Sequence, residues 1–266
     1  MTRGAVVAHL PRVRMFKHFV RHDPTVPAEG TGGERPRGIV KRSMATFVLI
    51  HGAGDSGWYW HLVTPELRAR GHDVVAPNLP ANDDTADLGT YADAVVCAIG
   101  GRLGLVVVGQ SFGAFTAPLI CDRLPAELLV FVAGMIPSPG ECPDDWWTET
   151  GYDREPRERG LDDAATYYHD VPPELASEHV RRAREHPSAG AGREPWPLPA
   201  MPAVPTRSLV CRDDRLFPVG FMRRITKQRL GIFADEIDSG HCVALSHPLE
   251  LADRFEQFLD HTRSRS

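Results

Sequence analysis

Cysteine is scarce and unpaired in this chain. Its five residues, Cys97, Cys121, Cys142, Cys211 and Cys242, stand far apart with no CxxC spacing. That excludes a zinc-ribbon framework and the disulfide lattice of small secreted domains, and makes a reducing cytoplasm the expected setting. Cys97, Cys121 and Cys211 fall in apolar stretches and read as small core residues. No apolar run approaches the ~18 residues that a bilayer span needs, so no membrane is expected as a partner. Nor is there an excess of basic charge: 30 Lys and Arg stand against 35 Asp and Glu, a net of −5, which disfavours nucleic acid. No metal-ligand spacing occurs, and no metal or other cofactor is expected. What is present is a globular composition, with 266 residues of which 42% are hydrophobic and 24% charged. A chain this long buries roughly three quarters of its unfolded surface and needs no covalent staple.

The charge is unevenly spread. Residues 1–43 hold nine Lys and Arg against three Asp and Glu, with Pro11, Pro24, Pro27, Pro36 and the run Gly30-Thr31-Gly32-Gly33. The segment reads as a disordered basic tail, or as an over-extended start ahead of Met44. It has no continuous apolar core of a secretory signal, since Gly4 to Leu10 is short and is followed by Pro11 and Arg12.

From Thr46 onward, strand-like and helix-like blocks alternate. Strands are expected over Thr46 to Ile50, Asp73 to Pro77, Leu103 to Val108, Leu128 to Ala133, Thr206 to Cys211 and Ile232 to Ile237. Helices are expected over Trp58 to Arg70, Tyr91 to Ile99, Ala114 to Leu124, Val219 to Leu230 and Pro248 to Leu259; in the last, Leu251, Phe255, Phe258 and Leu259 share one face. Leu103 to Val108 is uninterruptedly apolar, as a central strand covered on both faces must be. Such alternation implies an α/β fold with a mostly parallel sheet flanked by helices. The core then comprises 44–137 and 202–266. Ser138 to Met201 breaks the alternation, with fourteen acidic and seven basic residues and Trp146, Trp147, Tyr152, Tyr167, Tyr168 and Trp196 among them. It reads as an inserted cap, 138–201, over the C-terminal edge of the sheet, with one amphipathic helix over Glu174 to Glu185. The aromatic residues Trp146, Trp147, Tyr167 and Tyr168 either line a pocket or form the cap's own small core.

Gly109-Gln110-Ser111-Phe112-Gly113 lies between the apolar strand and a helix. A sharp turn there strains the backbone of Ser111 and lifts its hydroxyl off the sheet edge, while the flanking positions stay small because other backbone passes close by. A serine hydroxyl is a poor nucleophile unless a base takes its proton, and the base must be held in one tautomer. Two later strands end in suitable residues. Ser208 to Cys211 runs into Arg212-Asp213-Asp214-Arg215-Leu216-Phe217-Pro218, and Ile232 to Ile237 into Asp238-Ser239-Gly240-His241. Asp214 is the favoured orienting carboxylate and Asp213 the alternative. Of the twelve histidines, His241 alone follows a strand end in a Ser-Gly-His context. His51 reads as an anchor for its own loop, His247 as a surface residue, and His169 and His186 lie in the insertion. A tetrahedral intermediate needs two donors aimed at its oxyanion, each worth roughly 2.7–4 kcal/mol. The Phe112 amide, at a helix N-terminus, is one candidate, and the Ala53 amide in His51-Gly52-Ala53-Gly54 is the other.

As a set, His51-Gly52-Ala53-Gly54, Trp58-Tyr59-Trp60, Gly109-Gln110-Ser111-Phe112-Gly113, Asp214 and Gly240-His241 resemble the α/β-hydrolase fold superfamily. Within it they are similar to the branch containing plant methylesterases, hydroxynitrile lyases and bacterial hydrolases of unassigned substrate. The resemblance spans about residues 45–137 and 205–260 and implies a cofactor-free enzyme acting on a small molecule in a mostly apolar pocket between core and cap. The lyase branch typically has threonine where Gly52 stands and lysine just after the catalytic histidine, where this chain has Cys242; cyanohydrin cleavage is thereby disfavoured. Hydrolysis of a small, largely apolar ester is expected first. Amide, lactone or carbon–carbon cleavage, a lyase reaction on the same triad, and a ligand-binding receptor with little turnover are the alternatives.

Overall fold

The computed structural model describes residues 44–156, 160–183 and 188–265. The basic segment 1–43 and His186 lie outside the described residues. Thr46–Ile50 (β1) is buried along its whole length. A 3-10 turn, Gly57–Trp60, and the helix Val63–Ala69 (α1) lead to Asp73–Val75 (β2). Then come Leu88–Ile99 (α2), Leu105–Gln110 (β3), Gly113–Arg123 (α3) and Ala126–Val132 (β4). Four short helices follow: Trp146–Glu149 (α4), Asp163–Tyr167 (α5), Pro173–Arg182 (α6) and Ala189–Arg193 (α7). The chain closes with Thr206–Cys211 (β5), Val219–Leu230 (α8), Asp235–Ile237 (β6), Val243–Ser246 (α9) and Pro248–Arg263 (α10). Among the described residues six strands form one sheet in the order β2-β1-β3-β4-β5-β6, and every pairing is parallel.

The two-residue period of the strands divides the core between the sheet's faces. Leu105 and Val107 of β3 pack with α2, α3 and α8 through Tyr91, Phe115 and Phe221. Val106 and Val108 face the opposite side, against Val63 and Leu67 of α1 and Leu251 and Phe255 of α10. Each such side chain contributes roughly 1.5–3 kcal/mol relative to exposure, so the continuous apolar run of β3 anchors both layers.

Several boundaries differ from the sequence expectation. Trp58 to Arg70 is not one helix. Pro65 lacks an amide hydrogen and its ring clashes with the carbonyl four residues back, so the helix starts at Val63 and leaves Pro65 in its first turn. Strand β2 stops at Val75, ahead of Pro77. Strand β3 starts at Leu105, because Leu103 is exposed and Gly104 has φ +64°, and it continues to Gln110 beside the turn. Ile232 to Ala234 is a link rather than strand: Gly231 ends α8 in the left-handed region, Phe233 is exposed under the Lys227 ammonium, and pairing begins at Asp235. Cys97 is exposed rather than a core residue. The buried stripe of α2 is Leu88, Tyr91, Ala92, Val95 and Ile99, and the helical period turns Cys97 away from it.

The stretch between β4 and β5 is fastened within itself, to α3 and α8, and to the loop after β5. Trp146, fully buried among Phe217, Phe221 and Tyr152, donates its indole N–H to the Ile136 carbonyl at 3.1 Å. Trp196 donates to the Phe115 carbonyl at 3.0 Å, and the Tyr152 hydroxyl donates to the Leu216 carbonyl at 2.7 Å. Arg229 of α8 pairs with both carboxylate oxygens of Glu141 at 2.6 Å. The bonds of Trp146, Trp196 and Tyr152 matter because an unpaired polar atom at these buried positions costs more than the bond yields.

Candidate active site

Because the sheet is parallel, β1, β3, β5 and β6 all end at the same edge. Ser111 sits in the turn after β3 with φ +49°, a left-handed conformation that a side-chain-bearing residue adopts only when its surroundings enforce it. The restraints are visible. The Ser111 amide donates to the Val132 carbonyl at 3.1 Å, and the Ser111 carbonyl accepts from Met135 at 3.0 Å and Ala114 at 3.1 Å. The turn is also tight: a Cβ at Gly113 would lie 2.6 Å from the His51 carbonyl oxygen and one at Gly109 2.7 Å from that of Gly113.

The loops after β5 and β6 bring Asp214 and His241 to this turn. His241 Nδ1 donates to Asp214 Oδ2 at 2.8 Å, and His241 Nε2 stands 3.1 Å from Ser111 Oγ. With its Nδ1–H donated in a hydrogen bond to the carboxylate, the neutral imidazole presents its Nε2 lone pair to the serine hydroxyl. The other oxygen of Asp214 accepts the amides of Leu216 and Phe217 at 2.8 and 2.9 Å, which fixes the carboxylate's rotamer. Asp214 is thus the aspartate that reaches His241; Asp213 is exposed. The rings of Phe217 and Tyr167 meet the imidazole edge-on at 5.2 and 5.7 Å and confine it. The Gln110 side-chain nitrogen lies 3.4 Å from His241 Nε2, a longer contact than that of Ser111.

The loop after β1 passes hard against the serine. A Cβ at Gly52 would fall 2.9 Å from Ser111 Cβ and 2.5 Å from Gln110 Oε1, so only glycine lets this backbone through. Ala53 follows directly, while Phe112 stands at the N-terminal end of α3. Both border the cavity described below together with Ser111 and His241. His51 is buried, donates Nδ1–H to the Gly52 carbonyl at 2.8 Å and accepts the Leu79 amide on Nε2 at 3.2 Å. It anchors the loop, as expected.

A cavity of about 1000 Å³ opens beside Ser111. Its apolar border includes Phe112, Met135, Pro143, Trp147, Val180 and Leu216. Tyr167 and Tyr168 also border it, whereas Trp146 belongs to the buried aromatic cluster. The four aromatic residues left undecided by sequence therefore divide between the two roles. Burial raises the phenols of Tyr167 and Tyr168 above their usual range, so both stay neutral hydroxyls. Cys242, beside His241, is buried as well. Desolvation lifts its thiol well above the ordinary value, and the carboxylates of Asp55 and Asp214 push the same way. A thiol so held is not a nucleophile at neutral pH.

Three polar residues here had no sequence signal. Asp55, in the loop after β1, bonds His179 of α6, and His179 Nδ1 lies 3.0 Å from the Tyr168 hydroxyl. Asp170, after α5, accepts the Gly240 amide at 2.6 Å. A helical period locates α6 but cannot say what its histidine faces. Among the described residues no group of three His, Cys, Asp or Glu is placed to hold a metal ion. No helix among them is long and apolar enough to cross a membrane.

A family model described as "Alpha/beta hydrolase family" matches residues 47–254. Norfluorocurarine synthase 1 of Strychnos nux-vomica is 24% identical over 271 residues, covering 84% of this chain and 98% of that protein. Methylesterase 7 of Arabidopsis thaliana is 26% identical over 258 residues, covering 81% of this chain and 99% of that protein. Among solved structures, polyneuridine aldehyde esterase superposes with a TM-score of 0.70 at 21% identity, covering 81% of this chain and 99% of that one.

Proposed function

The chain belongs to the alpha/beta hydrolase family, and from that premise we propose that it is a serine hydrolase cleaving a small, largely apolar carboxylic ester through an acyl-enzyme. The observation that carries this is the unbroken hydrogen-bond chain Asp214–His241–Ser111 at the edge of a mostly apolar cavity. Ser111 Oγ attacks the ester carbonyl while His241 Nε2 takes its proton. Asp214 holds the imidazole in the required tautomer and stabilises its charged form. The Ala53 and Phe112 amides serve the oxyanion; the Phe112 position at the end of α3 adds the favourable field of a helix N-terminus. His241 then gives its proton to the departing alcohol, and water, activated by the same imidazole, releases the acid.

Relatives named methylesterase and a structural neighbour named aldehyde esterase favour an ester over an amide or lactone. The relative named a synthase is the observation that favours a second reading, in which the same residues run a reaction other than simple hydrolysis. The collision that any side chain at Gly52 would make with Ser111 argues against a threonine-dependent lyase site. Residues 138–201 act in this reading as the cap, because Pro143, Trp147, Tyr167, Tyr168 and His179, none of them in a strand, border the cavity together with Ser111 and His241. The partner is a small molecule, and five free thiols suit a reducing, cytoplasmic setting. The test is turnover of p-nitrophenyl acetate: the wild-type chain hydrolyses it, and Ser111→Ala abolishes turnover while circular dichroism stays unchanged. Turnover retained by Ser111→Ala overturns the assignment.

A further inference from the structure

The cavity has a second hydrogen-bonded relay that ester cleavage does not use. Asp55 and His179 are both buried, and their side chains are bonded to each other through Asp55 Oδ1 and His179 Nε2. His179 Nδ1 meets the Tyr168 hydroxyl at 3.0 Å. All three residues border the same cavity as Ser111. The Tyr168 ring is 6.1 Å from that of Tyr167, which in turn is 5.7 Å from the His241 imidazole. The relay therefore stands one aromatic ring away from the proposed base.

A carboxylate and an imidazole buried at a cavity wall are costly, since apolar residues of similar size fasten two elements as well without the desolvation penalty. The cost is recovered when the polar end of the network meets a ligand group. Both ring nitrogens of His179 are engaged, so the relay addresses the cavity through the Tyr168 hydroxyl and the Asp55 carboxylate, whose residues both border it. With His179 neutral, Tyr168 donates to Nδ1 and leaves its oxygen as an acceptor; with His179 charged, Nδ1–H donates and the Tyr168 proton is free. A hydroxyl on the ligand satisfies either polarity. An anion does not suit the surroundings: Asp55, Asp144, Asp162 and Asp163 border the cavity, and among the described residues that do so none is lysine or arginine.

We propose that Asp55, His179 and Tyr168 form a hydroxyl-recognising subsite, and that the ester this chain cleaves carries a neutral hydroxyl group on its apolar body. This rests on the reading of Ser111 as nucleophile. A site built to bond a substrate hydroxyl discriminates strongly against the analogue that lacks it, because its buried polar groups are then left unpaired.

The experiment compares kcat/KM for methyl phenylacetate, its three ring-hydroxylated isomers and its three ring-carboxylated isomers, on the wild-type chain and on Tyr168→Phe. In the wild type at least one hydroxylated isomer exceeds the unsubstituted ester by about tenfold or more, and the carboxylated isomers fall below it. In Tyr168→Phe the hydroxyl preference drops to about one. A wild-type ratio within about twofold of one for every hydroxylated isomer overturns the proposal, as does a preference that survives in Tyr168→Phe or a carboxylated isomer that outruns all others. A merely structural tie between α6 and the loop after β1 lowers both rates together and leaves their ratio intact. If no ester is turned over, the hydrolase reading has failed separately. The subsite is then judged by calorimetric dissociation constants for phenylacetamide and its hydroxylated isomers, with the same ratios deciding.

Discussion

The carboxylate of Asp170 accepts the backbone amide of Gly240 at 2.6 Å, one residue before the imidazole of His241. The neighbouring His169 binds the Asp213 carbonyl through Nε2 at 2.9 Å, one residue before Asp214. Two consecutive residues from the stretch between β4 and β5 thus clamp the loop of the base and the loop of the acid. The distance from His241 to Asp214 is held from outside the sheet as well as by the strands beneath it.

This clamp makes Asp170 a positioning residue. Asp170→Ala is expected to lower kcat on p-nitrophenyl acetate by about ten- to a hundredfold with little change in KM, because small misplacements of a base cost that much. Asp170→Asn keeps a carbonyl that accepts the Gly240 amide and should restore most of the rate. Steady-state kinetics beside urea unfolding midpoints separate this from a loss of stability, which would track the midpoint instead of the side-chain acceptor.

The two adjacent aspartates differ sharply in consequence. Asp214→Asn preserves an acceptor for the Leu216 and Phe217 amides but presents the wrong polarity to His241 Nδ1, and kcat should fall about ten-thousand-fold. Asp213→Asn changes an exposed side chain and should stay within about twofold of the wild type. Single-turnover hydrolysis of an activated ester measures both.

Ser111 was legible because its constraint is local: the turn between a buried strand and a helix needs small residues at Gly109 and Gly113, all within five positions. Asp214 was legible because it follows β5, whose apolar end Leu209 to Cys211 is plain in sequence; His241 was legible through its Ser-Gly-His context, although the strand before it is only Asp235–Ile237. Asp170 and the Asp55–His179 pair were not. Their contacts join residues 70 and 124 positions apart, and one partner in each comes from a stretch with no sustained apolar period. Which polar side chains meet across such a stretch depends on the register of short helices that only tertiary packing fixes. The start of α1 was legible in principle, since Pro65 tolerates only the first turn of a helix.

At the sheet's edge, acid should expose a different set of contacts. Arg223 grips Glu236 through two bonds at 2.7 and 2.8 Å, and Arg212 adds a third at 2.8 Å. Together they hold the Glu236 carboxylate down to about 2. A carboxylate whose folded value lies below its unfolded one contributes stability above the unfolded value and loses it as pH falls toward the folded one. The urea midpoint of Arg223→Ala should therefore lie slightly below that of the wild type at neutral pH. The gap should narrow below about pH 4.3 and close near pH 2. Molar salt should shrink it throughout, as for any exposed pair. A gap independent of pH would mean that Arg223 acts through packing alone.

The most direct measurement of the central claim is covalent labelling by a fluorophosphonate, read by intact mass and peptide mapping. One adduct per chain, located on Ser111 and absent from Ser111→Ala, is the predicted result, with labelling slowed by orders of magnitude in His241→Ala. An adduct on any other residue, or labelling of Ser111→Ala at the wild-type rate, would contradict it.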